Sequence, residues 1–196
     1  MIYYLPNILT LFRIFMTPLF IYILFWGGEN GYPWALVIFI TAGITDIIDG
    51  YLARRLKVES SFGKMLDPAA DKILILSAFI SFVTMDLIFL WMVIIIILRD
   101  VLITVMRYLL EKRGMSMATS SLAKAKTGVQ VASVIVILCY LSLKSYQIYL
   151  ITDLIDGMYL ILVLMLVTVL FTLYTGFDYF LVNRSAIRAL IKSNSQ

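Results

Sequence analysis

Apolar runs dominate this chain, and short polar or glycine-rich breaks divide them into six segments of helical length. The segments cover, to within a few residues, 8–26, 34–54, 68–85, 87–110, 122–143 and 154–182. About 20 consecutive apolar residues are enough for a helix to cross the hydrocarbon core of a bilayer. The stretch 157–177 carries no charged residue at all. The pattern predicts an all-α integral membrane protein, a six-transmembrane-helix bundle that forms a single domain over residues 1–196.

The composition supports a membrane location and narrows the chemistry. The chain is 62% hydrophobic with a mean hydropathy of +0.99, whereas soluble domains are about half apolar. It has no histidine, which removes the commonest general base and excludes the nucleophilic histidine of a phospholipase-D-type mechanism. A single cysteine, Cys139, excludes an internal disulfide and a cysteine-based zinc site. Metal ligands must therefore come from Asp and Glu, which favour hard ions such as Mg²⁺ or Mn²⁺.

The basic residues are distributed unevenly between the two ends of the predicted helices. The loops after the first, third and fifth helices together hold one of them, Lys144. The opposite ends and the C-terminal tail hold Arg54, Arg55, Lys57, Lys64, Lys112, Arg113, Arg184, Arg188 and Lys192. Because cytoplasmic loops carry the excess of Lys and Arg, both termini are predicted to be cytoplasmic.

Two acidic pairs lie on that same predicted cytoplasmic side, beside the apolar runs. Asp46 and Asp49 are three residues apart, and Asp67 and Asp71 are four apart, so each pair shares one face of a helix. The loop between the two helices is short, so the two faces can converge. Four neighbouring carboxylates cannot all stay ionised unaided. Two divalent ions would neutralise them and could clamp the attacking and leaving oxygens of a phosphoryl transfer.

The residues around the acidic pairs fit a phosphorylated ligand. Gly50, Ala53 and Gly63 lack large side chains, so a ligand can approach the backbone there. Arg54 can present a planar fork to a phosphate group. An alternative stays open for both features, because small residues also line contacts between membrane helices and arginines also anchor topology.

The start of the third helix has two possible positions. Asp67 followed by Pro68 is typical of a helix start, with the aspartate as N-cap. An N-cap carboxylate turns toward its own backbone, which would spoil a metal site. We therefore expect the helix to begin earlier, near Ser60 or Ser61, with Pro68 tolerated inside it.

The segment from Asp46 to Asp71 reads D-x2-D-G-x2-A-R-x8-G-x3-D-x3-D. It resembles the signature of the CDP-alcohol phosphatidyltransferase family, with every fixed position matched. The resemblance implies an integral membrane enzyme, a homodimer with two divalent metal ions, that displaces CMP from a CDP-linked lipid or alcohol. It assigns the metals to Asp46, Asp49, Asp67 and Asp71, and makes Asp71 the general base. It places Gly50, Ala53, Arg54 and Gly63 beside the cytidine diphosphate.

Two further stretches resemble bacterial phosphatidylglycerophosphate synthases, one branch of that family. They are P-N-I-L-T-L-F-R at 6–13 and S-L-A-K-A-K-T-G-V-Q at 121–130. This resemblance implies CDP-diacylglycerol as donor, glycerol 3-phosphate as acceptor and the bacterial inner membrane as location. It adds Asn7 and Thr10 to the residues that bind the CDP-lipid. Arg107, Lys124 and Lys126 could hold the phosphate of the acceptor, or could serve only as topology anchors.

Several alternatives stay open at this point. The same family chemistry could use serine, inositol phosphate or a second phosphatidylglycerol as acceptor. The aspartates could instead form the ion path of a cation transporter, or the metal site of a structural scaffold without turnover. Arg99 and Asp100 lie deeper in the fourth helix, where they either pair with other buried charges or line the cavity.

Overall fold

A computed structural model describes the backbone of residues 5–56, 61–112, 121–147, 159–185 and 187. Side chains are described at these positions except 5–11, 13, 29, 46–56, 61–71, 111 and 121–124. The described backbone forms six long helices and one short 3₁₀ helix at Gly28–Asn30. The long helices are α1 (Leu5–Trp26), α2 (Gly31–Leu56), α3 (Ser61–Thr84), α4 (Leu90–Glu111), α5 (Ser121–Ser145) and α6 (Leu160–Val182).

The six helices coincide with the six predicted apolar segments, which confirms the all-helical class. The largest difference concerns α3, because its apolar run alone covers 68–85 whereas the helix begins at Ser61. This start confirms the expectation drawn from the geometry of Asp67, which lies inside the helix and is not its N-cap. Pro68 also lies inside α3, where it has no N–H to donate to the carbonyl of Lys64.

The helices group into two compact units, Met1–Leu87 with Val134–Ile161, and Ile88–Ser133 with Leu162–Gln196. In the first unit α1 packs against both α2 and α3. Phe20 of α1 and Phe39 of α2 are 0% and 2% exposed, and their ring centroids are 6.0 Å apart. Such aromatic pairs contribute about 0.5–1.5 kcal/mol beyond the burial of their area. The helix α1 therefore joins the two helices that carry the acidic pairs.

Local backbone chemistry sets the helix ends of this unit. Gly28 has a φ of +64°, a conformation that glycine adopts at little cost. A Cβ on Gly27 would lie 2.5 Å from the carbonyl oxygen of Ile23, so no larger residue fits. At the end of α3, Asp86 has a φ of +56° and its N–H donates to the carbonyl of Val83 at 3.0 Å. Both breaks lie where the sequence predicts them.

In the second unit, α6 has its more polar face inside. Thr168, Thr172 and Thr175 are buried, while Val167, Leu170 and Phe177 are between 54% and 65% exposed. A helix at the surface of a water-soluble protein shows the opposite arrangement, and lipid around the outer face accounts for this one. The stretches Ala125–Ser145 and Leu160–Val182, with mean hydropathies of 1.7 and 2.4, are long and apolar enough to cross a membrane.

Candidate active site

The four predicted metal ligands all lie on helical backbone of the first unit. Asp46 and Asp49 belong to α2, and Asp67 and Asp71 belong to α3. Positions three or four apart in an α-helix lie on the same side of it, so each helix brings its two aspartate positions to one side. The side chains of these four residues lie outside the described part of the chain, and their role as metal ligands stays a prediction.

The helix bounds also give the depth of each aspartate position. Leu56 ends α2 and Ser61 begins α3, and five peptide steps can separate them by at most about 18 Å. At about 1.5 Å per residue, Asp49 lies about 10 Å before the end of α2 and Asp67 about 9 Å after the start of α3. Asp46 and Asp71 each lie about 15 Å from the same ends. The two pairs therefore occupy matching depths along their helices.

The donor set at these positions fits a divalent metal. Carboxylate oxygens are the ligands that Mg²⁺ and Mn²⁺ prefer, and two helices each contribute a pair at equal depth. Among the residues whose side chains the structure describes, no group of three His, Cys, Asp or Glu could hold a metal ion.

The residues predicted to bind the CDP-lipid lie on the same two helices and on α1. Gly50 follows Asp46 by four residues and Ala53 follows Asp49 by four, so the small positions lie one turn further along the same side of α2. Arg54 is the next residue of that helix, and Gly63 precedes Asp67 by four in α3. Asn7 and Thr10 lie on α1, the helix that packs against both α2 and α3. The side chains of these residues also lie outside the description.

In the second unit, four residues of three helices form a buried polar cluster, which we call the Asp100 network: Arg99 and Asp100 of α4, Lys126 of α5 and Thr175 of α6. The Nζ of Lys126 donates to both carboxylate oxygens of Asp100 at 2.5 Å. Arg99 donates from Nη1 to Oδ1 of Asp100 at 3.2 Å and from Nη2 to Oγ1 of Thr175 at 3.1 Å. The carboxylate of Asp100 thus binds two cations at once.

The network contains Lys126, one of the residues that the sequence predicts to hold the phosphate of the acceptor. Lys126 is 4% exposed and held by Asp100, so it is a buried, paired cation. Arg107 is partly buried on α4, seven residues and thus two turns beyond Asp100 on the same side. The side chain of Lys124 lies outside the description. The pairing also answers the question left open for Arg99 and Asp100, because both pair with other charges inside the fold.

Three further buried or closely packed residues of α5 and α6 were not predicted from the sequence. Gly176 lies against Arg99, since a Cβ there would be 3.2 Å from Cγ of Arg99. Gln130 is 3% exposed and lies one turn after Lys126 on α5. Thr175 accepts the hydrogen bond from Arg99. Polar or small residues repeated every three or four positions within an apolar helix are the signal that could have identified them.

Comparison with known proteins agrees with the motif. The model of the family described as CDP-alcohol phosphatidyltransferase matches residues 3–174. The CDP-diacylglycerol--glycerol-3-phosphate 3-phosphatidyltransferase of Bacillus subtilis (strain 168) is 37% identical, over 94% of this chain and 97% of that relative. A relative of the same name from Rickettsia felis is 32% identical over 90% and 93%. The cardiolipin synthase (CMP-forming) of Streptomyces coelicolor is 36% identical over 56% and 52%.

The family match spans most of the chain and includes both acidic pairs and the helices that carry them. The relatives from Bacillus subtilis and Rickettsia felis both exceed 30% identity over nine-tenths or more of this chain. The chain therefore belongs to the CDP-alcohol phosphatidyltransferase family.

Proposed function

We propose that this protein is a membrane enzyme that transfers the phosphatidyl group from CDP-diacylglycerol to glycerol 3-phosphate. The products are phosphatidylglycerophosphate and CMP. The observation that carries this proposal is the near full-length similarity to the Bacillus subtilis relative, whose name states the donor and the acceptor. The matching depths of the acidic pairs on α2 and α3 support it independently.

The proposed enzyme crosses the bacterial inner membrane six times, as a homodimer with both termini and the active site on the cytoplasmic side. Support comes from the outward apolar face of α6 and from the excess of Lys and Arg on one side of the predicted helices. In this arrangement the acyl chains of the donor stay in the lipid while its nucleotide end reaches the aspartates.

Asp46, Asp49, Asp67 and Asp71 would hold two divalent ions, Mg²⁺ or Mn²⁺. When bound, such ions stabilise the negative charge of the pyrophosphate and of the departing CMP. The small positions Gly50, Ala53 and Gly63, with Arg54, Asn7 and Thr10, would border the CDP-lipid.

The proposed reaction is one displacement at phosphorus. Asp71 takes the proton from the 1-hydroxyl of glycerol 3-phosphate. The acceptor oxygen forms a bond to the phosphorus that carries diacylglycerol, the bond from that phosphorus to the CMP oxygen breaks, and CMP leaves. Arg107, Lys124 and Lys126 would hold the acceptor's phosphate by charge-assisted hydrogen bonds. A single displacement predicts inversion of configuration at phosphorus.

The test supplies the purified protein with CDP-diacylglycerol, labelled glycerol 3-phosphate and Mg²⁺. We expect CMP and a labelled lipid to appear in equal amounts. Asp71→Asn keeps the size of the side chain but cannot take the proton, so its rate should fall by at least about a hundredfold. Release of CMP without label in the lipid would exclude glycerol 3-phosphate as the acceptor.

A second candidate acceptor is phosphatidylglycerol, because a cardiolipin synthase is 36% identical over 56% of this chain. Parallel reactions with labelled phosphatidylglycerol, serine and inositol phosphate separate these acceptors from glycerol 3-phosphate. Cation flux into sealed vesicles without CMP release would instead favour a transporter.

A further inference from the structure

The helix α4 carries two charged residues where a membrane-spanning helix tolerates them least. Arg99 and Asp100 are the tenth and eleventh of its 22 residues, and residues 90–98 before them are all apolar. At the centre of a membrane helix, one charged residue opposes insertion several times more strongly than one leucine or isoleucine favours it. Of the helices whose side chains the structure describes, Ala125–Ser145 and Leu160–Val182 are long and apolar enough to cross a membrane, and α4 is not among them. By its own composition, α4 is therefore a weak candidate for a membrane span.

The carboxylate of Asp100 lies on the inward face of α4. Asp100 is 8% exposed, and Ile96 and Ile103, one turn before and one turn after it, are 0% and 7% exposed. Leu98 and Val101 on the other side are 62% and 55% exposed. The helix therefore presents an apolar surface to lipid only while other helices cover its charged face.

The partners that cover this face belong to helices that follow α4 in the chain. The Nζ of Lys126 in α5 donates to both carboxylate oxygens of Asp100 at 2.5 Å. The Nη2 of Arg99 donates to Oγ1 of Thr175 in α6 at 3.1 Å. Lys126 is 26 residues after Asp100, and Thr175 is 76 residues after Arg99. Because a chain is synthesised from its N-terminus, α4 is complete before either partner exists.

The contact that α4 can make by itself is the one between Arg99 and Asp100. It joins one nitrogen of the guanidinium to one oxygen of the carboxylate at 3.2 Å, at the long end of the normal range for a hydrogen bond. A buried ion pair is stable only if its remaining donors and acceptors are also satisfied. Lys126 provides this for the carboxylate, so the charged centre of α4 depends on α5.

We propose that α4 becomes a stable membrane-spanning helix only when α5 packs against it, and that the pair of Asp100 and Lys126 makes this packing obligatory. Before the pair forms, the charged centre of α4 favours the membrane surface over the hydrocarbon core. Once the pair has formed, the two charges satisfy each other and the outward face of α4 contacts lipid. The inference rests on one part of the proposed function, the six crossings of the membrane, and on no step of the transfer reaction.

The test measures on which side of the membrane α4 ends. Full-length chains with Cys139→Ser are synthesised without cells into sealed, inverted inner-membrane vesicles, so that no cellular protease removes misplaced protein. Each chain carries one reporter, Asn30→Cys before α2 or Lys112→Cys after α4, and both positions are exposed. A membrane-impermeant maleimide is added before or after permeabilisation. In the parent protein, the Lys112→Cys reporter should react at once and the Asn30→Cys reporter only after permeabilisation, because three helices separate them.

Lys126→Met removes the partner of Asp100 and keeps a long apolar side chain. For the Lys112→Cys reporter, the ratio of protected to reactive chains should rise about tenfold or more, the effect of losing one charged hydrogen bond. The matched control is Lys144→Met, the same change at an exposed lysine of the same helix, which should leave the ratio unchanged. A ratio for Lys126→Met equal to that of the parent protein would overturn the proposal.

A rescue experiment tests the cause of the misplacement. Adding Arg99→Leu and Asp100→Leu to Lys126→Met gives α4 an apolar centre, which needs no partner to enter the hydrocarbon core. The reporter at Lys112→Cys should then react at once, as it does in the parent protein. Misplacement that persists in this triple variant would mean that the charges of α4 are not its cause, and would also overturn the proposal.

The labelling requires no catalysis, so it separates this inference from the proposed reaction. A parent protein whose two reporters react from opposite faces but which transfers no phosphatidyl group would refute the proposed reaction and leave the dependence of α4 on α5 in force. Two reporters that react from the same face in the parent protein would overturn the inference itself, because α4 would then not complete the third crossing between them.

Discussion

Gly176→Ala tests the packing of the Asp100 network against α6. A Cβ at Gly176 would lie 3.2 Å from Cγ of Arg99 and 3.5 Å from its Nε. The Arg99 side chain must therefore move by a few tenths of an ångström. It is not free to do so, because its guanidinium is held at both ends, by Asp100 and by Thr175. Both bonds already lie near the long end of the normal range, and a shift of that size would weaken one or both.

Two opposing free energies set the size of the effect. Alanine is favoured over glycine inside a helix by about 1 kcal/mol. Overpacking of a well-packed interior costs about 1–3 kcal/mol, and the strained bonds from a charged group place this case in the upper half of that range. The net result is a loss of about 1–2 kcal/mol in the free energy of unfolding. For a chain of this size that lowers the Tm by about 2–8 °C.

The assay is thermal unfolding of the purified variants in detergent, with Gly128→Ala as matched control. Gly128 lies in α5 of the same unit, and a Cβ there would meet nothing within 4 Å. In the control, the only expected effect is the higher helix propensity of alanine, which should raise the Tm by about 2–4 °C. A Gly176→Ala protein as stable as Gly128→Ala would refute the reasoning, because it would mean that Arg99 moves without loss.

Three further outcomes follow from the same contacts. By thermal unfolding, Lys126→Met should lower stability by about 1–2 kcal/mol and Asp100→Asn by about 3–5 kcal/mol. In Lys126→Met the carboxylate of Asp100 still pairs with Arg99, whereas Asp100→Asn removes the carboxylate that both cations share. The reverse order of the two losses would contradict this account. Phe39→Ala should lower stability by about 3–5 kcal/mol, because it leaves a cavity beside Phe20. A loss below about 1 kcal/mol would mean that neighbouring side chains move to fill this cavity. A chelator such as EDTA should abolish transferase activity and added Mg²⁺ or Mn²⁺ should restore it; activity that persists in the chelator would remove the two-metal proposal.

The helices and their order could be predicted because their signal is local. Apolar runs and the breaks at Gly28 and Asp86 are visible in the sequence alone. The start of α3 is the instructive case, because in residues 61–67 the apolar Phe62, Met65 and Leu66 are interrupted by polar or small residues and do not form a continuous apolar run. The expectation about Asp67 predicted that start, because an N-cap carboxylate turns toward its own backbone and would spoil the predicted metal site.

The sequence offered pairing with other buried charges as one role for Arg99 and Asp100, but the partners within the Asp100 network could not be predicted, because they are distant in the sequence. Asp100 and Lys126 are 26 residues apart, and Arg99 and Thr175 are 76 apart. Their meeting depends on the register of three packed helices, which no spacing within one helix encodes. The acidic pairs differ in this respect, because two helices joined by a short connection bring them to matching depths. The positions of the acidic pairs were therefore easier to predict than the long-range contacts of the Asp100 network.

The charge of the acceptor separates the two candidate acceptors and gives Arg107 a testable role. A phosphate monoester such as glycerol 3-phosphate carries about −1.5 to −2 near neutral pH, whereas the phosphodiester of phosphatidylglycerol carries a single negative charge. Under the proposed function Arg107 holds the phosphate of the acceptor, and it lies about 10 Å beyond Asp100 on the same side of α4. Loss of this cation should weaken the binding of a dianion more than the binding of a monoanion. Arg107→Gln should therefore raise the KM for glycerol 3-phosphate about tenfold, and an enzyme that prefers phosphatidylglycerol should show no such change.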